Sequence, residues 1–377
     1  MMALLQLTMP KWGLSMTEGT IVEWLLEEGE QIAAGDQVVE VSTEKIDGAV
    51  EAPDAGTLLR RVAAEGETLP VGALLAVVGD PATDAAEVDA FVAEAQASFV
   101  PPDADEDAGP ATEAVEVDGR RVRILATGPA DDDGPPLVLI HGFGGDLDNW
   151  RFVIPEWAKE RSLIAIDLPG HGGSSKDVGD GRLAVLTGAV LGVLDARGVE
   201  RAHLVGHSLG GLVATAIAAE HPDRVLSLSL IAPAGLGPEI SIEYIDGFVA
   251  ATSRKQLKPV LAQLFAAEGT VTRELVDEVL RYKRLDGVDA ALRAIAGHGF
   301  RDGRQADVDP GRLALDDVPA LVIWGRQDRV IPAAHAELVP DGVRVELLDD
   351  TGHSPHVERA GDVHRLVAAH VLGAVPA

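Results

Sequence analysis

The stretch LVGHSLGGLVATAIAAEHP, residues 204–222, decides the fold of the larger part of this chain. An apolar run at 202–205 leads into Gly206-His207-Ser208-Leu209-Gly210 and then into an Ala-rich segment of helical character. Small residues two positions either side of the serine permit a turn sharp enough to lift its side chain above a sheet edge. The amide of Leu209, at the helix start, then points to where the oxygen of a tetrahedral adduct would form. The plainer alternative is a Gly-rich turn with an incidental serine, and the strand before and helix after weigh against it.

A serine of ordinary acidity needs a base, and the base needs an acid to orient it. In a strand–turn–helix setting of this kind the chain order is serine, acid, histidine. There are eleven histidines, so position must choose among them. ALVIWGRQDRVIP (320–332) places Asp328 just beyond a strand end, and VELLDDTGHSPHVE (345–358) places His353 in the loop after the next strand. Asp328 would hold the imidazole tautomer while His353 takes the Ser208 proton. Asp349 and Asp350 are rival acids, but they share the loop of His353 and suit a salt bridge or turn. His356 is the rival base. HSPH also suggests a metal pair, but no third ligand is spaced to join it, so no metal is expected.

LVLIHGFGGDLDNW (137–150) supplies the other half of an oxyanion hole, with the Phe143 amide as second donor beside Leu209. DLPGHGGSS (167–175) is a further strand-end loop, and His171 in it is expected to be structural. Around these motifs run RVRILAT, PLVLIHG, SLIAID, AHLVGHS, VLSLSLIAP, PALVIWG and VRVELLD. Such near-continuous Val/Ile/Leu runs, alternating with helices, fit a mostly parallel sheet buried on both faces. Residues 236–310 break the alternation with helical, strand-poor sequence and are expected to form an inserted cap. Together these residues, over roughly 115–375, resemble the α/β-hydrolase superfamily. The resemblance implies the Ser208–His353–Asp328 set but leaves the substrate open, because esterases, thioesterases, C–C hydrolases and acyltransferases share the machinery.

Residues 1–79 read differently. TIVEWLL, DQVVEVS, GAVEAP, GTLLRRV and ALLAVVG are short segments broken by Gly-containing turns, which predicts a small all-β sandwich. In VSTEKIDGAVEAPDAG (41–56) the lone Lys45 stands between Glu44 and Ile46, and the only other lysine before residue 80 is Lys11. Gly35 precedes Lys45 by ten residues and Gly56 follows it by eleven. Residues 9–58 resemble a lipoyl domain along nearly their whole length. A biotin carrier is similar, but there the lysine lies between methionines. The resemblance implies lipoate attached to Lys45 by a lipoate-attaching enzyme.

Residues 80–114 form an Ala/Asp/Glu/Pro-rich stretch in which EVDAFVAEAQASF suits one helix and VPPDADEDAGPATE suits a flexible linker. About 35 flexible residues would span roughly 30–35 Å. Residues 80–117 hold eleven Asp/Glu and no Lys/Arg. The expected organisation is therefore a lipoyl domain at 1–79, a linker at 80–114 and an α/β-hydrolase domain at 115–377.

A lipoyl arm delivers acyl thioesters, and a Ser-His-Asp site attacks acyl carbonyls. The pairing resembles the dihydrolipoamide acetyltransferase component of acetoin dehydrogenase complexes. That family implies acetyl transfer from lipoamide to coenzyme A, with a thiamine-dependent acetoin-cleaving component and a dihydrolipoyl dehydrogenase as partners. Neither an HxxxDG motif nor a basic subunit-binding module at 80–115 is present, so a cubic or icosahedral core does not carry over, and the oligomeric state stays open. The alternatives are a lipoyl-tethered serine hydrolase or thioesterase releasing free acid, and a lipoyl carrier with a non-catalytic hydrolase-fold scaffold.

Coenzyme A phosphates need cations. The region 238–305 holds ten Lys/Arg against ten Asp/Glu in a chain of net charge −30. Arg254, Lys255, Lys258, Arg281, Lys283 and Arg284 are the clustered candidates, with solvated helix faces the plainer account. The overall charge argues against nucleic acid or an anionic membrane as main partner. With no cysteine there are no disulfides or thiolate sites. No apolar run reaches the roughly 18 residues of a membrane span, and the start lacks a basic region before a long apolar run. A cytoplasmic protein is the expectation.

Overall fold

The computed structural model describes residues 4–10, 18–42, 47–52, 54–99, 112–130, 132, 134–267, 269–313 and 318–374. The chain divides into two compact units, Met1–Ala111 and Thr112–Ala377.

The first unit is built from eight strands, β1 (Leu5–Thr8), β2 (Glu18–Trp24), β3 (Gln31–Ile32), β4 (Gln37–Ser42), β5 (Asp47–Glu51), β6 (Gly56–Arg61), β7 (Thr68–Pro70) and β8 (Leu74–Gly79). They form two four-stranded antiparallel sheets, ordered β1-β8-β6-β3 and β5-β4-β2-β7. The short β1, β3 and β7 escape a reading based on alternation, because two to four residues are too few to show a period. The core between the sheets gathers Leu7, Ile21, Trp24, Val39, Val41, Leu58, Leu75 and Val78. A register shift between Gln37 and Val39 lets Val38 and Val39 both be buried, as a bulge does.

β8 is buried along its whole length, which a half-exposed strand would not be. Leu75 and Val78 face the sandwich core, while Leu74 and Val77 pack with Val88, Phe91, Val92 and Ala95 of helix α1 (Ala85–Ser98). The spacing of those four residues puts them on one helix face, and Asp84 caps the helix by accepting from Ala86 N at 2.8 Å. EVDAFVAEAQASF, read in the sequence as suited to one helix, thus falls in α1 up to Ser98, and α1 lies within the first unit.

The second unit opens with β9 (Thr112–Val117), antiparallel to β10 (Arg120–Thr127) with Thr112 opposite Leu125. This corrects the expected start at 115, which falls inside β9. TEAVEV is an edge strand with polar exposed positions, so its composition resembles the acidic stretch before it. Next come β11 (Leu137–Ile140), α2 (Ile154–Glu160), β12 (Leu163–Ile166), α3 (Leu183–Ala196), β13 (Ala202–His207), α4 (Leu209–Glu220) and β14 (Val225–Ile231). The region between 236 and 310 contains α5 (Ile242–Ala250), α6 (Arg254–Leu261), α7 (Arg273–Arg284), α8 (Val288–Gly299) and a two-rung hairpin, β15 (Phe300–Arg301) with β16 (Arg304–Gln305). Then follow β17 (Ala320–Gly325), β18 (Arg344–Leu348), α9 (Pro355–Glu358) and α10 (Ala360–Ala374).

The eight-stranded sheet is ordered β18-β17-β14-β13-β11-β12-β10-β9, parallel from β18 to β12 and antiparallel at β10 and β9. β11, β12, β13, β14 and β17 are buried at every residue, the signature of strands covered on both faces. No helix among the described residues is long and apolar enough to cross a membrane.

Candidate active site

β11 and β13 lie in register, Ile140 opposite Gly206, so the residues that follow them emerge at the same height. β12 flanks β11 on one side and β13 on the other, which makes this edge the point where strand order reverses and where open α/β sheets leave a crevice.

Ser208 sits there with φ 52° and ψ −117°, a conformation that an L-residue holds only when its surroundings over-determine it. They do so here. Ser208 N donates to Ile231 O at 3.0 Å, and Ser208 O accepts from the amides of Gly211, Leu212 and Ala234. A Cβ on Gly206 would lie 2.4 Å from Gly210 O, and one on Gly210 would lie 2.0 Å from Ile140 O. Both positions therefore exclude side chains, as the sequence spacing required. Among the described residues no backbone carbonyl accepts from the Leu209 or Phe143 amide.

The loop after β11 presses onto the same turn. A Cβ on Gly142 would come within 3.1 Å of Ser208 Cβ. His141 pins this loop: its Nε2 accepts from Leu168 N at 3.0 Å and its Nδ1 donates to Gly142 O at 2.8 Å. Full burial holds His141 below the usual histidine range, so it stays neutral in that role. The Phe143 ring meets His171, Phe248 and Phe300 edge-on, with centroids 6.2, 5.9 and 5.9 Å away.

Asp328 follows β17 with its side chain fully buried, and His353 follows β18 with 2% of its side chain exposed. His353 Nδ1 donates to Asp328 Oδ2 at 2.7 Å, which leaves Nε2 as the nitrogen free to take a proton. Trp324 Nε1 also donates to Oδ2, at 2.9 Å, and the amides of Val330 and Ile331 donate to Oδ1 at 2.8 and 2.9 Å. Four donors on one carboxylate are what a buried charge requires. His207 connects this pair to the serine turn: its Nε2 donates to His353 O at 2.9 Å, and the two rings lie 4.9 Å apart. The turn and the histidine loop, 145 residues apart in sequence, thus share one site.

Sequence reasoning did not single out Trp324, His141 or His207. The available signals were slight, namely a Trp four residues before the acid and histidines at two strand ends. The rivals fall elsewhere. Asp349 pairs with Arg326 at 2.8 Å, and Asp350 takes φ 52° in the turn. His356 is buried against His207 and Trp150, with centroids 4.4 and 4.9 Å away, and burial pushes it down to about 3. His171 accepts or donates at Nδ1 only toward Pro169 O, 3.1 Å away, so it is the donor there. No metal-binding cluster occurs among the described residues.

The cationic candidates divide into two sets. Arg254 grips Asp277 through both Nε and Nη2, and Lys283 donates to the carbonyls of Phe248 and Val249 while lying 5.0 Å over the Phe248 ring. Arg281 acts on the buried Glu278. Lys255, Lys258 and Arg284 are exposed. In the first unit Lys45 lies outside the described residues, as do Glu44 and Ile46. The strands around them pair with Ser42 opposite Asp47, which brings the ends of that connection together.

Comparison with known proteins agrees with both units. The family described as "alpha/beta hydrolase fold" matches residues 135–360, and that described as "Biotin-requiring enzyme" matches residues 5–78. Two relatives are each called dihydrolipoyllysine-residue acetyltransferase component of acetoin cleaving system. The one from Cupriavidus necator is 46% identical over 372 residues, covering 98% of both chains. The one from Pseudomonas putida is 49% identical over 364 residues, covering 96% of this chain and 97% of the relative. A 2-hydroxymuconate semialdehyde hydrolase from Pseudomonas sp. (strain CF600) is 33% identical over 251 residues, covering 62% of this chain and 86% of the hydrolase.

Proposed function

Because this chain belongs to the family of acetyltransferase components of acetoin cleaving systems, we propose that Ser208, His353 and Asp328 carry out the transfer, moving acetyl from a dihydrolipoyl thioester to coenzyme A. The observation that carries this reading is the His353 Nδ1–Asp328 Oδ2 bond of 2.7 Å beside a serine held at φ 52°.

Ser208 Oγ attacks the thioester carbonyl as His353 Nε2 takes its proton. The amides of Leu209 and Phe143 hold the oxyanion, an interaction typically worth about a hundred- to a thousandfold in rate per donor. His353 returns the proton to the departing dihydrolipoyl sulfur, leaving acetyl on Ser208. It then takes the proton of the coenzyme A thiol, whose acidity is near that of cysteine, about 8.5. The thiolate attacks acetyl-Ser208, and His353 reprotonates Ser208 as acetyl-CoA leaves.

Lys45 is the residue that would hold lipoate, through an amide at Nζ. The pairing of Ser42 with Asp47 supports this, since it brings together the two ends of the connection that carries Lys45. Bound there, the group supplies the thiol that bears acetyl. Lys255, Lys258 and Arg284 are the cations left to meet coenzyme A phosphates. A thiamine-dependent acetoin-cleaving component and a dihydrolipoyl dehydrogenase are the partners this role requires.

The kinship with a named hydrolase over the same domain supports one second reading, attack on acetyl-Ser208 by water. The test is to supply S-acetyldihydrolipoamide with and without coenzyme A, beside Ser208→Ala, and to quantify acetyl-CoA and acetate. Ser208-dependent acetyl-CoA is expected. Acetate formed at one rate irrespective of coenzyme A would make the enzyme a hydrolase.

A further inference from the structure

Two loops that come from different strands, those of Asp328 and His353, are tied to the same short strap of the cap, residues 262–267. Arg329, next in the chain after Asp328, donates from Nη2 to Phe265 O at 2.6 Å and also to Ala262 O. Ser354, next after His353, donates its amide to Leu264 O at 3.1 Å. The Glu358 carboxylate joins the two sides: Oε2 accepts from Ala266 N and Oε1 from Gly352 N, both at 2.7 Å. Gly352 precedes His353, and a Cβ there would lie 2.7 Å from Ala266 N and 2.8 Å from Phe265 C. Arg329, Gly352 and Ser354, chain neighbours of the acid and the base, therefore all meet one six-residue segment. That segment begins where α6 ends, and α6 packs on α5 and α7 of the cap.

We infer that the strap 262–267 is the element through which the seating of the cap sets the alignment of His353 against Asp328, with Glu358 as the positioning residue that joins strap to histidine loop. This rests on the Ser208–His353–Asp328 reading of the reaction. A carboxylate serves both amides because each oxygen accepts. A glutamine has one accepting oxygen and presents NH2 to the other amide, so Glu358→Gln removes one tether at constant volume. Arg329→Met removes the guanidinium tether from the other side. A glutamate that only stabilised the fold would lower Tm and leave the folded enzyme's kcat alone. A positioning residue lowers kcat and leaves KM in place.

The full-length chain is compared with Glu358→Gln, Arg329→Met and the double variant. The readouts are the rate of Ser208 modification by an alkyl fluorophosphonate, kcat and KM for S-acetyldihydrolipoamide with coenzyme A, and Tm. Each single variant is expected to slow both phosphonylation and kcat between about tenfold and about a hundredfold with KM unchanged, the range for a misplaced catalytic group. The double variant is expected to fall little further than the worse single, since both act through one strap. Glu358→Asp, which keeps two accepting oxygens, is expected to recover part of the rate, and Arg329→Met carries the test should Glu358→Gln not fold. Wild-type phosphonylation and kcat in the variants, with only Tm reduced, would overturn the inference while leaving the reaction reading intact. A wild-type chain that transfers acetyl with Ser208 inert to the reagent, and with Ser208→Ala fully active, removes the reaction reading and the inference with it.

Discussion

The two units concentrate chemistry in opposite ways. In the first, the proposed lipoate-bearing Lys45 falls between β4 and β5, two strands adjacent in sequence that pair with each other. In the second, the residues of the proposed site, Phe143, Ser208, Asp328 and His353, come from four loops spread over some two hundred residues, at the common edge of a parallel sheet. The first design needs only two neighbouring strands that pair. The second needs the whole sheet to be in register, because each loop is only as well placed as the strand beneath it. A carrier residue tolerates motion, whereas a nucleophile, base and acid must be held against one another.

The sharpest way to separate the units is Lys45→Arg. It is expected to abolish acetyl transfer fed through the chain's own arm while leaving turnover of free S-acetyldihydrolipoamide intact; loss of both activities would show that the two units are not separable in this way. Next in size is Asp328→Asn. With Nδ1 of His353 no longer facing a carboxylate, kcat is expected to drop by roughly ten-thousandfold, as in other serine–histidine–acid sites, while mass spectrometry still finds Lys45 lipoylated. A drop of only a few fold would mean that the 2.7 Å bond does not orient the base.

Trp324→Phe is a milder cut. It removes one of the four donors on Asp328 without changing the fold of β17, so a decrease in kcat of roughly fivefold is expected from one ordinary hydrogen bond. An unchanged rate would show that the backbone amides of Val330 and Ile331 hold the carboxylate unaided.

The smallest effect is on stability against pH, and it falls on one unit alone, since the first histidine in the chain is His141. Burial depresses His141, His171 and His207, brings His203 down to about 4 and brings His356 down to about 3. Unfolded, each would titrate near its usual value of about 6.5. Below that pH the unfolded chain binds protons that the folded chain refuses, so the stability these groups lend is present above about 6.5 and is lost as pH falls toward their folded values. Scanning calorimetry of the full chain between pH 7.5 and 5.5 is expected to move the hydrolase-unit transition downward and leave the other in place. Equal shifts of both transitions would deny the histidines this role.

The sequence by itself determined much. Gly206-His207-Ser208-Leu209-Gly210 had to form a turn of this kind, because no side chain fits either glycine position, and five of the seven valine- and leucine-rich runs are strands covered on both faces, while β10 and β18 keep partly exposed positions. Near-periodic β segments likewise announced the small sandwich. It read EVDAFVAEAQASF as suited to one helix, but it did not show that this helix lends its apolar face to β8. It also passed over β9, an edge strand whose exposed positions are polar. Local pattern reports what a segment prefers, and only the neighbour that covers it decides whether that preference is used.

What only the tertiary structure decided is which partners each functional group keeps. Six cations looked alike in the sequence, yet Arg254 and Lys283 are committed to Asp277 and to the carbonyls of Phe248 and Val249. Asp328 differed from Asp349 and Asp350 by its place after a strand; three of its donors, Trp324, Val330 and Ile331, lie within four residues of it, but the fourth, His353, reaches it only from the loop of the next strand. The physical reason is range. Turn and strand preferences are set by contacts between near neighbours, whereas a buried carboxylate or a positioned imidazole is defined by hydrogen bonds that close only after distant strands have paired.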